Sequence, residues 1–175
     1  LGIYSPSGSG PKAIPIGAIG IRMDENYDGE GIRVEYVFED GPASRAESKI
    51  MPGEVIESID GHKLSAGDNL YGLLYDKIDR QVMLEVVSSD GKKTREVIIR
   101  PVSASEESNL VYKDWVRAKR AMVDSLSGGK LGYVHVEVMS WPDFEQFERE
   151  LYSECHDKDG LLIDVRNNPG GWITD

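Results

Sequence analysis

The sequence predicts an α+β chain. A small, partly open β-barrel with two helices fills residues 14–103, a linking helix 104–128, and an incomplete strand–helix–strand unit 129–175. Three observations carry this reading. Short alternating segments broken by Gly, Pro and Asp-Gly pairs fill the first hundred residues, the mark of many short strands. Apolar residues then recur at helical spacing from Val111 to Leu126. Last, the apolar run Leu161–Val165, punctured by Asp164, empties into Asn167-Asn168-Pro169-Gly170-Gly171. A strand exits through such a turn when its backbone must come close to something else.

Residues 1–13, rich in Ser, Gly and Pro, read as a flexible lead-in. Ser7-Gly8-Ser9-Gly10 followed by Lys12 lacks the Gly-Lys-Ser/Thr ending of a phosphate loop. Strands are predicted at Ala18–Met23, Gly31–Phe38, Glu54–Ile59 and His62–Leu64, with the Asp60-Gly61 pair turning the last two into a hairpin. Ala43–Lys49 suits a short helix, and Asp68 can cap another reaching about Ile78, with Leu70, Leu73, Leu74 and Ile78 on one face. Gln81–Val87 and Thr94–Arg100 form a hairpin. A long polar helix, from about Ser105 to Leu126, carries Val111, Trp115, Ala118, Met122 and Leu126 as a docking stripe and stops at Ser127-Gly128-Gly129. Leu131–Val138, a helix over Pro142–His156 and Leu161–Val165 imply a parallel pair.

The net charge of −11 excludes the common nucleic-acid binders. Residues 1–103 carry 12 basic and 17 acidic side chains and the remainder 8 and 14, so neither part presents a face for a phosphate backbone. No apolar run approaches the ~20 residues of a membrane span. One cysteine, Cys155, precludes an internal disulfide and reads as an inert thiol that fits either redox compartment. The pairs Asp143/Glu145 and Glu148/Glu150 read as solvated helix faces, so neither a metal nor a cofactor is expected. Of the three histidines, His62 reads as a turn residue and His135, between Val134 and Val136, as structural on a strand. No serine stands in a Gly-x-Ser-x-Gly elbow. Asp164 and Arg166 read as groups that satisfy the strand-exit backbone, or with Arg166 fixing the loop.

Two stretches bear a family likeness. Ala18-Ile19-Gly20-Ile21 stands where PDZ domains have their Gly-Leu-Gly-Phe carboxylate loop, with Ala18 for the first glycine. Gly41-Pro42-Ala43 and Met51-Pro52-Gly53-Glu54 through Asp60-Gly61 resemble the rest of that signature. The likeness implies that peptide or protein C-termini bind at Ala18, Ile19, Gly20 and Ile21, between that strand and a helix bearing Leu70 and Leu74. Gly160-Leu-Leu-Ile-Asp-Val-Arg-Asn-Asn-Pro-Gly-Gly171 is similar to the start of the catalytic core of tail-specific serine peptidases. Trp115-Val116, Arg120, Val123 and Leu131-Gly-Tyr-Val-His135 look most like the tricorn branch.

That resemblance implies a backbone N–H of Gly170 or Gly171 in the oxyanion hole. It puts the nucleophilic serine and the last acid beyond Asp175, and the histidine just before the PDZ-like part. The chain is therefore expected to be an inactive piece of a tricorn-like peptidase whose complete form is a homo-oligomer. It is expected to be soluble, with cytoplasm and periplasm both open. The alternative is a non-catalytic PDZ peptide-binding or scaffold module.

Overall fold

The computed structural model describes residues 15–65 and 68–171; the lead-in over 1–13 and the last four residues lie outside that range. The chain divides into two compact units at Val111/Tyr112.

In the first unit β1 (Gly17–Ala18) pairs antiparallel with β8 (Val102–Ser103). The main sheet runs β2 (Ile21–Met23), β3 (Ile32–Val37), β4 (Val55–Ile59), β6 (Val82–Val87), β7 (Thr94–Ile99), with β5 (His62–Lys63) hydrogen-bonded to β4. Alternation decides which side is buried. On β6, Val82, Leu84 and Val86 are each 0% exposed while Met83 and Glu85 point outward. They join Val34, Ile56, Ile59, Leu64, Leu70, Leu74 and Ile99 in one core. The β4–β5 turn forms as expected, with both Asp60 (φ 49°) and Gly61 (φ 79°) left-handed.

Three expectations are corrected here. The strand predicted over 18–23 breaks at Ile19-Gly20. Gly20 turns left-handed (φ 75°), and the two carbonyls are taken by Ala43 N–H (3.0 Å) and Phe38 N–H (2.9 Å). The helix predicted over 43–49 is two single 3₁₀ turns, Pro42–Ser44 and Ala46–Ser48, separated by extended Arg45. Ser44 and Ser48 hydroxyls donate to the Gly41 and Pro42 carbonyls, bonds that compete with a continuous helix. The helix predicted over 68–78 is a single turn, α1 (Leu70–Leu73), capped by Asn69 rather than Asp68. Left-handed Asp76 and Asp79 prevent its continuation. Also unforeseen was β8, which closes on β1 as the chain leaves the barrel.

α2 (Ala104–Ser127) starts in a reciprocal cap. The Glu106 carboxylate accepts the Ser103 N–H (2.8 Å), and the Ser103 hydroxyl accepts the Glu106 N–H (3.2 Å). In the second unit the expected stripe packs only in part: Trp115 lies against His135, while Met122 and Leu126 are exposed. One position on, Tyr112, Val116 and Arg120 face inward. Apolar Val116 is the buried residue of this face, and beside it the Arg120 guanidinium reaches the Tyr133 carbonyl (3.4 Å) and the Glu150 carboxylate (3.1 Å). β9 (Leu131–His135), α3 (Trp141–Glu154) and β10 (Gly160–Asp164) follow, with β9 and β10 parallel from Leu131 opposite Gly160 to His135 opposite Asp164. β9 ends three residues earlier than predicted.

Candidate active-site loop and peptide loop

In the first unit the Ala18–Ile21 loop is buried: Ala18 is 2%, Ile19 1% and Ile21 5% exposed. The Leu70 and Leu74 side chains belong to the core at 2% and 0%. The loop backbone is bonded as well: the Ile19 and Gly20 carbonyls are taken by Ala43 and Phe38. A Cβ on Gly20 would stand 3.5 Å from the Leu110 Cδ1. Glu107 lies close as well: burial raises its carboxyl above the ordinary glutamate value, while a hydrogen bond from the Gly20 amide draws it back. Tyr71, on α1, is raised by burial and then by the Glu107 charge. A carboxylate thus already stands at the amide of the peptide loop, which the sequence reading missed.

In the second unit the exit of β10 is laced to the segment following β9. Asp164, 5% exposed, accepts from the Arg166 N–H (3.0 Å) and Nε (2.9 Å) and from the Tyr133 hydroxyl (2.8 Å). The Arg166 guanidinium, ahead of the opposing effect of burial, holds the Asp164 carboxyl well below the usual range. Burial, followed by the hydrogen bond to Asp164, pushes Tyr133 up to about 12. Asp164 and Arg166 thus pair with each other and with the strand-exit backbone, the first of the two arrangements expected of them.

Beyond Arg166 the chain turns through left-handed Asn167 (φ 63°). Asn168 then works at both ends of its amide. Its Nδ2 donates to the Val136 carbonyl (2.8 Å), and its Oδ1 accepts the Gly170 N–H (2.7 Å). The Gly170 carbonyl accepts from Met139 N–H (3.3 Å). Gly170 is left-handed (φ 88°) with open space around the position of a Cβ. Gly171 is different: a Cβ there would run into the Met139 carbonyl oxygen. Glycine at 171 is thus demanded by packing.

The two candidate amides are thereby distinguished. The Gly170 N–H is committed to Asn168, whereas the N–H of Gly171, an exposed residue, donates to no acceptor among the described residues. Beside the loop, an apolar groove of about 550 Å³ runs past Val136, Met139, Phe144, Phe147, Ile163 and Val165. Among the described residues no histidine is hydrogen-bonded to a serine. His135 is held by the Tyr112 hydroxyl (2.9 Å) and the Arg166 carbonyl (3.0 Å), and His156 by Asp157 (2.8 Å). Cys155 packs on Gly132, and burial raises its thiol, against the reactive direction.

Sequence reasoning missed Asn168, Met139 and the link from Tyr112 through His135 to Arg166. For Asn168 a signal existed, since Asn commonly bonds backbone two residues on, and Gly170 stands at that spacing. Tyr112 gave none, because its partner lies 23 residues away.

The exit loop of β10 is thus pinned on several sides, and of its two glycine amides only that of Gly171 has no acceptor among the described residues. Comparison with known proteins gives it a family. Residues 18–104 match the tricorn protease PDZ domain, and residues 130–175 match peptidase family S41. The chain is 30% identical over 172 residues to a tricorn protease homolog of Saccharolobus solfataricus, covering 94% of this chain and 15% of that protein. It is 34% identical over 122 residues to tricorn protease homolog 1 of Streptomyces coelicolor, covering 70% and 11%. The crystal structure of the tricorn protease superposes with a TM-score of 0.78 at 28% identity over 91% of this chain and 16% of that one. Over these two segments the chain belongs to the tricorn PDZ and S41 peptidase families. It spans less than a fifth of the length of these relatives.

Proposed function

We propose that this chain belongs to a tricorn-type serine peptidase acting on peptides or unfolded chains, and that it supplies one donor of the oxyanion hole. The observation that carries the reading is the Gly171 N–H, which has no acceptor among the described residues, whereas the neighbouring Gly170 N–H is held by Asn168. The nucleophile, base and acid are assigned to parts of the protein outside residues 1–175, so the chain by itself does not turn over substrate. Acyl transfer would build negative charge on the scissile carbonyl oxygen, and a preset amide lowers that barrier without reorganisation.

Residues 14–103 are read as the PDZ domain, 104–128 as the linker and 129–175 as the entry to the core. The Ala18, Ile19, Gly20 and Ile21 backbone, backed by Leu70 and Leu74, is read as the site for peptide or protein C-termini. The complete protein is read as a homo-oligomer.

The test is peptide cleavage by the full-length protein. Gly171→Val, whose Cβ would collide with the Met139 carbonyl and displace the 171 amide, should lower kcat by about 10²-fold or more. Near-wild-type cleavage by that variant would remove the assignment. The competing reading, a non-catalytic PDZ scaffold, predicts no labelling of the full-length protein by a serine-directed fluorophosphonate.

A further inference from the structure

We infer that Tyr112 and His135 are positioning residues for the loop that ends in Gly171; the inference rests on the peptidase reading above. His135 is the last residue of β9, and its ring is fixed at both nitrogens. Nε2 lies 3.0 Å from the Arg166 carbonyl oxygen. A carbonyl oxygen can only accept, so Nε2 carries a proton. In the neutral ring Nδ1 is then the acceptor, and the Tyr112 hydroxyl at 2.9 Å donates to it. Two aromatic rings close on the imidazole, Trp115 edge-on at 4.8 Å and Tyr112 at 5.6 Å between centroids. The unit thus sets tautomer and tilt together.

The position of the grip matters more than its strength. Arg166 is where the chain leaves β10, and its N–H is already held by the Asp164 carboxylate. The His135 ring takes the carbonyl of the same residue, so the peptide groups on both sides of the Arg166 Cα are tied before the turn begins. Further on, Asn168 and the Met139 amide fix Gly170 from the segment that continues directly from His135. The Gly171 N–H inherits its direction from these ties. The His135 tie is a side chain anchored in turn on α2, through Tyr112, as the Asp164 tie is anchored on β9 through Tyr133. Neither Tyr112 nor His135 touches the Gly171 amide, so each acts through the backbone. An error of about 1 Å in such a donor costs on the order of 10²-fold in rate.

The experiment compares three variants of the full-length protein by peptide cleavage and by amide hydrogen exchange. His135→Phe keeps the aromatic packing and removes the donor; His135→Gln restores an N–H near the Nε2 position; Tyr112→Phe removes one oxygen and is the least disruptive. The expectation for His135→Phe is a kcat loss of about 10–100-fold with KM within about twofold. His135→Gln should recover to within about fivefold of wild type, and Tyr112→Phe should fall between. Exchange over 166–171 should rise at least about tenfold in His135→Phe while β9 amides are unchanged.

Unchanged kcat and unchanged loop exchange in both His135→Phe and Tyr112→Phe would overturn the inference. So would a His135→Gln variant as impaired as His135→Phe, since the ring rather than its N–H would then matter. If His135→Phe loosens β9 itself, Tyr112→Phe decides. If the wild-type protein cleaves nothing, the peptidase reading fails, and the exchange measurement alone still decides whether His135 holds the loop.

Discussion

The Glu54 carboxylate, 7% exposed, is held by both arms of the Arg95 fork at 2.6 and 2.8 Å and by the Met51 N–H at 2.8 Å. Burial by itself would raise its pKa, but these hydrogen bonds outweigh it and hold the group below the ordinary glutamate value. A depressed folded-state pKa means the contribution is complete above the unfolded value, about 4.5, and drains away as pH falls through the folded one. Glu54→Gln should therefore cost the first unit about 1–3 kcal/mol at neutral pH. In urea melts of wild type and variant the gap should narrow toward a pH of about 3. A gap that stays constant, or widens in acid, would contradict this. The sequence placed Glu54 in the Met51-Pro52-Gly53-Glu54 turn but gave no hint of Arg95, 41 residues on. Local spacing reveals caps and turns such as Asn168 with Gly170. A partner brought in by sheet pairing leaves no local trace.

At the scale of elements the strands were legible where side chains alternate about a buried face, as on β6 and β7. Helix lengths in the first unit were not legible. Leu70, Leu73 and Leu74 do carry helical spacing, yet α1 ends after four residues and the left-handed Asp76 that follows keeps it from continuing. The start of α2 has a consequence for the PDZ loop. Its Ser103–Glu106 cap sets the helix so that Glu107 meets the Gly20 amide and Leu110 nears Gly20 and Gly41. A peptide carboxylate arriving at that amide would meet a like charge. Glu107→Ala should then bind a pentapeptide with a free C-terminal carboxylate at least about tenfold more tightly than wild type by calorimetry. Equal affinities would mean that Glu107 leaves the loop open to ligand.

On the scale of the whole chain, the two units differ in how much they bury. The first encloses one continuous apolar cluster. The second, among its described residues, buries Val116, Tyr133, Val134 and Asp164 and leaves Trp141, Tyr152, Ile163 and Val165 at least half exposed. Hydrophobic burial scales with stability, so in the 175-residue chain the amides of β9 and β10 should exchange faster than those of β4 and β6, read by mass spectrometry. Equal or slower exchange in the second unit would contradict this. The order of the parts was legible because each bears its own signature: turn-punctuated alternation first, then a long polar helix, then an apolar strand opening into Asn-Asn-Pro-Gly-Gly. Which glycine amide is left without an acceptor among the described residues was not legible, since that depends on a side chain, Asn168, consuming one of two adjacent amides.

That choice is the centre of the account, and the direct test is a structure of the full-length protein carrying a peptidyl boronate on its nucleophile. The Gly171 N–H is predicted to lie about 2.7–3.1 Å from a boronate oxygen, with the Gly170 N–H still on Asn168. A boronate oxygen held by Gly170, or one remote from both glycines, would contradict it.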